Sequence, residues 1–298
     1  MLMNRRKKEE LIRNLFLATA SISILVLFTI VIFLFAEGLP ILGEVPIAKF
    51  IFGTEWYPTS SPADYGIFPL IAASLAVTLL SGAIAVPLGV MTAVYLSEIA
   101  SAKVREIVKP VVELLAALPS VVIGFFGMVV VAPFLQDYFP NIATGLNLFN
   151  ASLMLAFMSI PTICSISEDA IYSVPRDLKE ASLALGATHW ETIFRVVIPA
   201  SLSGISTAVI LGMSRAIGET MVVLMVAGGA ALVPGSIFDP VRPMPASIAA
   251  EMAEAPFRSS HYHALFAIGI MLFLSTMLFN LIADFIAHKH KQVGAATL

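Results

Sequence analysis

The sequence predicts an all-α polytopic integral membrane protein with six transmembrane helices, and three observations carry that expectation. Apolar residues make up 58% of the 298 positions and charged ones only 12%, with a mean hydropathy of +0.93, which excludes an ordinary soluble domain. Six stretches, at 15–36, 68–96, 114–135, 148–167, 200–232 and 264–283, reach the roughly 20 apolar residues that a helix needs to cross about 30 Å of hydrocarbon. Lysine and arginine are also unevenly shared between the connections. One side holds Arg5, Arg6, Lys7, Lys8, Arg13, Lys103, Arg105, Lys109, Arg176, Lys179, Arg195, Lys289 and Lys291, while the other holds Lys49, Arg242 and Arg258. The positive-inside rule then places both termini in the cytoplasm, with which an even number of spans agrees. A net charge of −3 distinguishes nothing.

Residues 1–67 form a basic N-terminal segment, a first span and an outer loop; 68–287 form the main membrane domain; and 288–298 form a cytoplasmic tail. The first span has the basic flank of a signal peptide, but its apolar run is too long and no small-x-small cleavage site comes after it, so it reads as an uncleaved anchor. Pro87, Gly89, Pro119, Gly124, Gly127 and Pro161 fall within the spans and suit kinked helices that pack closely. The single cysteine, Cys164, cannot form an intrachain disulfide. Two outer loops are long, 37–67 with Trp56 and Tyr57, and 233–263 with a proline-rich run and His261-Tyr262-His263. They suit either docking of an external protein or interfacial anchoring.

The most polar internal stretch is 174–199. Leu178, Ala181, Ser182 and Leu185 recur at helical spacing, and Gly186 is a residue that ends helices because it tolerates positive φ. Thr188 and Glu191 have the spacing of a capping box, and Trp190, Ile193, Phe194 and Val197 form a second apolar stripe. Pro199 suits the first turn of the fifth span. Two short amphipathic helices at an angle, outside the membrane, are expected.

Charge inside the membrane marks the other candidate site. Arg215 lies near the middle of the fifth apolar stretch, with Glu219 four residues on. A central arginine costs about 2.5–3.5 kcal/mol on insertion scales, so an i,i+4 ion pair facing away from lipid is expected. A guanidinium here offers a planar fork to an oxyanion. Glu219 keeps the empty site close to neutral and can accept a hydrogen bond from a protonated oxyanion such as hydrogen phosphate, which fully ionised sulfate cannot donate. A structural ion pair is the competing role. His261 with His263 and His288 with His290 are i,i+2 pairs, poor metal sites on a helix and expected at the interface. Glu113 and Asp284 are expected near span ends, and Glu168-Asp169 where the fourth span leaves the membrane. No metal site is expected, and the chain lacks the G-x4-G-K-[ST] phosphate loop of ATP-binding subunits.

The stretch Glu180-Ala181-Ser182, three residues, Gly186, nine residues, Val196-x-Ile198-Pro199 resembles the EAA loop of ABC importer permeases, EAA-x3-G-x9-I-x-L-P. Ser182, Val196 and Ile198 are conservative departures. The runs LAALPSVVIGFFG (115–127), PRDLKEASLALGATHWET (175–192), SRAIGETMVVLMVAGG (214–229), FDPVRPMPASIAAEM (238–252) and HYHALF (261–266) further resemble the phosphate-specific ABC importer permeases, of the PstC type rather than the sister PstA type. The resemblance implies a type I ABC importer fold and transport of inorganic phosphate by alternating access, with Arg215 and Glu219 in the substrate pathway. It also implies coupling through Glu180, Ala181, Gly186 and Pro199 to a dimer of ATP-binding subunits, which hold ATP and Mg. A second homologous permease, an extracytoplasmic phosphate-binding protein and membrane lipid are the further partners, with no nucleic acid, and the location is the cytoplasmic (inner) membrane. The chain itself is expected to bind no cofactor and to be no enzyme. An ABC permease for molybdate, tungstate or sulfate is the alternative, then a proton-coupled secondary carrier in which Arg215 and Glu219 form a relay.

Overall fold

The computed structural model describes residues 5–139 and 142–291, with side chains from 8 to 285. The expected tail beyond 291, and the side chains of His288 and His290, lie outside the described residues. The helices are α1 (Arg5–Gly38), α2 (Ile41–Glu44), α3 (Ile47–Phe52), α4 (Phe68–Val94), α5 (Ala102–Ala116), α6 (Ser120–Phe126), α7 (Ala132–Tyr138), α8 (Leu148–Tyr172), α9 (Arg176–Ala184), α10 (His189–Thr192), α11 (Ile198–Ile217), α12 (Met221–Val226), α13 (Met244–Glu251) and α14 (Ser260–Lys291). A small antiparallel pair, β1 (Trp56–Tyr57) and β2 (Asp64–Tyr65), lies in the first outer loop, with Trp56 opposite Tyr65. Three π turns, Tyr95–Ile99, Gly127–Val131 and Ile193–Val197, extend or join α4, α6 with α7, and α10 with α11.

Among the described residues, six helical stretches are long and apolar enough to cross a membrane: Lys8–Glu44, Phe68–Ile99, Ser120–Tyr138, Leu148–Tyr172, His189–Ile217 and Ser260–Phe285. The six-span expectation holds, but the third and fifth spans shift most. The third span begins at Ser120 rather than 114. Leu114 and Leu115 belong to α5, which stops at Ala116, because the residue ahead of Pro119 disfavours helical backbone and Pro119 itself is extended (φ −60°, ψ 136°). The fifth span runs over 189–217 rather than 200–232. At its start the Thr188–Glu191 capping box forms as expected, but α10 passes through a π turn directly into α11. That turn stands just ahead of Pro199, whose missing N–H and ring fit a regular α turn poorly. The second of the two expected short helices is therefore the first turn of the span itself. At its end α11 gives way at Gly218 (φ −88°, ψ 0°).

The core forms where α8 packs between α4 and α11. Ala73 and Val77 of α4, Ala151, Met154, Leu155 and Met158 of α8, Ala216 of α11 and Val222, Val223 and Val226 of α12 make its largest apolar cluster. Glycine allows close approach, as expected. A Cβ on Gly89 would lie 2.8 Å from Ile163 Cγ2, and one on Gly127 would lie 2.7 Å from Met154 Cγ. By contrast α1 is almost wholly unburied and leans on α14.

The two outer loops pack together into a second apolar cluster, with Ile41, Phe50, Trp56 and Ile67 from one and Met244 from the other against Leu265 and Ile268 of α14. At its edge Glu251 accepts hydrogen bonds from Trp56 Nε1 (3.1 Å to each oxygen) and Arg242 Nη1 (2.5 Å), and pairs with His261 Nε2 at 2.8 Å. His263 Nδ1 lies 2.6 Å from the Glu37 carbonyl. His261 thus joins the start of α14 to α13, and His263 joins it to the end of α1, contacts that only the tertiary fold defines. A cavity of about 740 Å³ opens beside them, with Trp56, Arg242, Glu251 and His261 in its wall.

Candidate functional site

Two constellations hold the residues singled out by sequence, one at each end of the fifth span. The first is built on α9. Proline at 175 (φ −55°, ψ 136°) releases the chain from α8, and α9 ends at Gly186, whose φ of +86° is a backbone that L side chains adopt at a cost. Nothing lies within 4 Å of where a Cβ on Gly186 would be, so the turn needs glycine for conformation rather than space. Glu180 and Ala181 are exposed on this helix, beside Leu178 and Leu183. Leu185 is 90% exposed, and Trp190 and Phe194 stack at 6.2 Å with their rings open to the outside. That much apolar surface on a polar connection marks a contact surface. Pro199 lies on the span itself, beyond the π turn, rather than on the α9 surface.

Ionic contacts brace this side. Lys179 Nζ of α9 meets Glu98 Oε1, in the π turn that ends the second span, at 2.6 Å. Glu168 of α8, expected where the fourth span leaves the membrane, is instead buried to 1% exposure because α8 continues to Tyr172. Lys109 Nζ of α5 donates to Glu168 Oε2 at 2.5 Å and to Asp169 Oδ1 at 2.8 Å. Arg105 makes an ion pair with Glu168 Oε1, without the alignment of a hydrogen bond, and stacks 4.1 Å over the Tyr172 ring. Partial burial of Lys109 disfavours its charge, but the hydrogen bonds to Asp169 and Glu168 outweigh that and raise its pKa above the ordinary lysine value. None of Glu98, Lys179 and Lys109 stood out as a site residue in the sequence, since acids and bases near span ends are common and their pairing crosses 59 or more positions.

The second constellation surrounds Arg215. Ala216 beside it belongs to the apolar cluster built on α8, and because the span ends at Ile217, Arg215 stands two residues from its end rather than near its middle as expected. Arg215 itself is exposed, directed away from that core. The expected Arg215–Glu219 ion pair is absent. Because α11 ends at Ile217, the i,i+4 register that would bring the two together is lost. Glu219 Oε1 instead accepts from Met221 N (3.1 Å) and Val222 N (3.3 Å), capping α12. Among the described residues Arg215 makes no hydrogen bond and no ion pair. Next to it, Ser214 Oγ donates to Asn280 Oδ1 of α14. Asn280 was missed by sequence reasoning, although an amide within an apolar span is itself a signal. The geometry thus sets a guanidinium without a counter-charge, a hydroxyl–amide pair and a carboxylate with one oxygen uncommitted along one break in the fifth span. Among the described residues no group of three His, Cys, Asp or Glu side chains is placed to hold a metal ion.

Comparison with known proteins gives this arrangement a context. The family model for the binding-protein-dependent transport system inner membrane component matches residues 85–292. The probable ABC transporter permease protein YqgH of Bacillus subtilis (strain 168) is 39% identical over 291 residues, covering 97% of this chain and 94% of the relative. The phosphate transport system permease protein PstC of Pasteurella multocida (strain Pm70) is 34% identical over 246 residues, 76% of each chain. In fold, the chain matches one from the crystal structure of a bacterial alginate ABC transporter in complex with alginate pentasaccharide-bound periplasmic protein, with a TM-score of 0.68 at 16% identity over 98% of both. A chain of the inward-facing MetNI methionine ABC transporter matches with a TM-score of 0.56 at 22% identity, over 73% of this chain and 93% of that one.

Proposed function

The chain belongs to the binding-protein-dependent transport system inner membrane component family, as an ABC importer permease subunit, and from that premise we propose that it carries inorganic phosphate across the inner membrane. The observation that carries this reading is Arg215, a permanently charged guanidinium near the end of an apolar span with no counter-charge among the described residues. Such a group is too costly to face lipid and is chemically matched to an oxyanion. Relatives named as phosphate transport permeases support the choice of anion.

In this reading Arg215 holds two phosphate oxygens, and Glu219, with one oxygen engaged in capping α12, uses the other to accept a hydrogen bond from hydrogen phosphate. α9, with Glu180, Ala181 and Gly186, docks on a dimer of ATP-binding subunits, where ATP and Mg are held and hydrolysed. Pro199 keeps the base of the span rigid beneath it. A second permease completes the pathway beside α11, and an extracytoplasmic phosphate-binding protein delivers its load to the outer loops. The lysine and arginine distribution places both termini and α9 in the cytoplasm.

The test is ATP hydrolysis by the reconstituted complex, stimulated by its binding protein loaded with phosphate or with sulfate. Phosphate-selective stimulation with phosphate uptake is expected. Stimulation by sulfate or molybdate alone would reassign the anion, and uptake that persists without ATP but collapses with the proton gradient would replace the permease reading with a secondary carrier.

A further inference from the structure

We propose that the Lys179–Glu98 ion pair is a strut that carries displacement of α9 into the second span, and so toward Arg215; this rests on the permease reading above. Among the described residues, two side-chain hydrogen bonds hold α9 to other elements. One, Ser182 Oγ with Thr192 Oγ1 at 3.0 Å, stays within the local α9–α10 turn. The other, Lys179 Nζ to Glu98 Oε1 at 2.6 Å, reaches a different span. The chain itself links α9 to α8 and to the fifth span, so this pair is its side-chain bond to the second.

Burial makes that link stiff. The Glu98 side chain is 6% exposed and that of Lys179 is 22% exposed. A carboxylate so far from water stays charged and in place only while its counter-ion stays with it, so the pair moves as a unit rather than exchanging with solvent. Glu98 lies in a π turn continuous with α4, and its neighbour Leu96 is buried against Ile171, Val174 and Val197. From there α4 runs toward the other site. Gly82 of α4 is in close apposition to Met213 of α11, and Ala73 and Val77 share the core cluster with Ala216. A push on α9 thus has a contiguous packed route to Met213 and Ala216, which flank Arg215 on α11. Without the strut, α9 is free to move with the ATP-binding subunits while α4 stays behind.

The test uses the whole complex in liposomes, with phosphate uptake and ATP hydrolysis measured together and assembly checked by co-purification of the ATP-binding subunits. Lys179→Met and Glu98→Gln are each expected to lower phosphate imported per ATP hydrolysed by about tenfold, within the range of measured coupling energies, while hydrolysis continues. The reversed pair, Lys179→Glu with Glu98→Lys, is expected to restore the ratio, which no loss of local packing would do. Unchanged coupling in the single variants overturns the strut, as does a reversed pair that fails to assemble or that hydrolyses ATP without uptake. Absence of ATP-driven uptake in the unmodified complex would instead overturn the permease reading, and the strut with it.

Discussion

Glu98 and Glu168 are buried near the α9 side of the molecule and each faces a cation, whereas Arg215, near the end of the fifth span, faces no counter-charge among the described residues. Charged side chains thus do different work in two regions of one bundle. A paired buried charge contributes position, because separating it leaves an uncompensated ion in a poor solvent. In the proposed function, the unpaired guanidinium contributes affinity for the transported anion, and it is the absence of a resident partner rather than burial that distinguishes it.

The comparison breaks most sharply at Arg215 itself. Arg215→Ala removes charge-assisted hydrogen bonds worth about 1.5–3 kcal/mol each, so uptake of labelled phosphate is expected to fall by about 100-fold or more. Since Arg215 makes no hydrogen bond among the described residues, the variant should melt at the temperature of the unmodified protein. Glu168→Ala should do the reverse. It leaves Lys109 and Arg105 without their shared carboxylate, and because both keep part of their exposure the cost falls at the low end for a broken buried pair, about 3 kcal/mol. Thermal unfolding in detergent reads that loss.

Glu219→Gln sharpens the contrast within the Arg215 region. The amide oxygen can keep accepting from Met221 N and Val222 N, so α12 should stay capped, but the amide nitrogen that replaces the second oxygen cannot accept a hydrogen bond from hydrogen phosphate. Discrimination of phosphate over sulfate is expected to drop about tenfold, the worth of one charged hydrogen bond, as read by anion competition for uptake. The smallest effect belongs to Gly186→Ala. With φ at +86° and open space around the missing Cβ, only backbone strain of about 1 kcal/mol is added. ATP-binding subunits should still co-purify, with a modest drop in uptake.

Much of this was legible in the sequence where physics is local. Hydropathy located six spans because crossing hydrocarbon is a requirement on composition. Thr188 and Glu191 announced a capping box because its two hydrogen bonds join residues three apart. Gly186 announced a turn because its conformation is its own. The end of the fifth span was hidden, since the residues beyond Gly218 are as apolar as those before it and only the backbone break separates them. That break also undid the expected Arg215–Glu219 pair. Glu98 with Lys179, Glu168 with Arg105 and Lys109, and Asn280 with Ser214 were beyond reach for another reason. Each joins distant positions that only packing brings together.

The central claim is that the unpaired guanidinium, and not the paired buried charges, meets the transported anion. The most direct test is phosphate uptake by liposomes holding equal amounts of assembled complex, unmodified or carrying Arg215→Ala, with ATP hydrolysis measured in the same samples. Uptake lost in Arg215→Ala, with assembly and hydrolysis retained, is the predicted result. Undiminished, phosphate-selective uptake through the Arg215→Ala complex would contradict it.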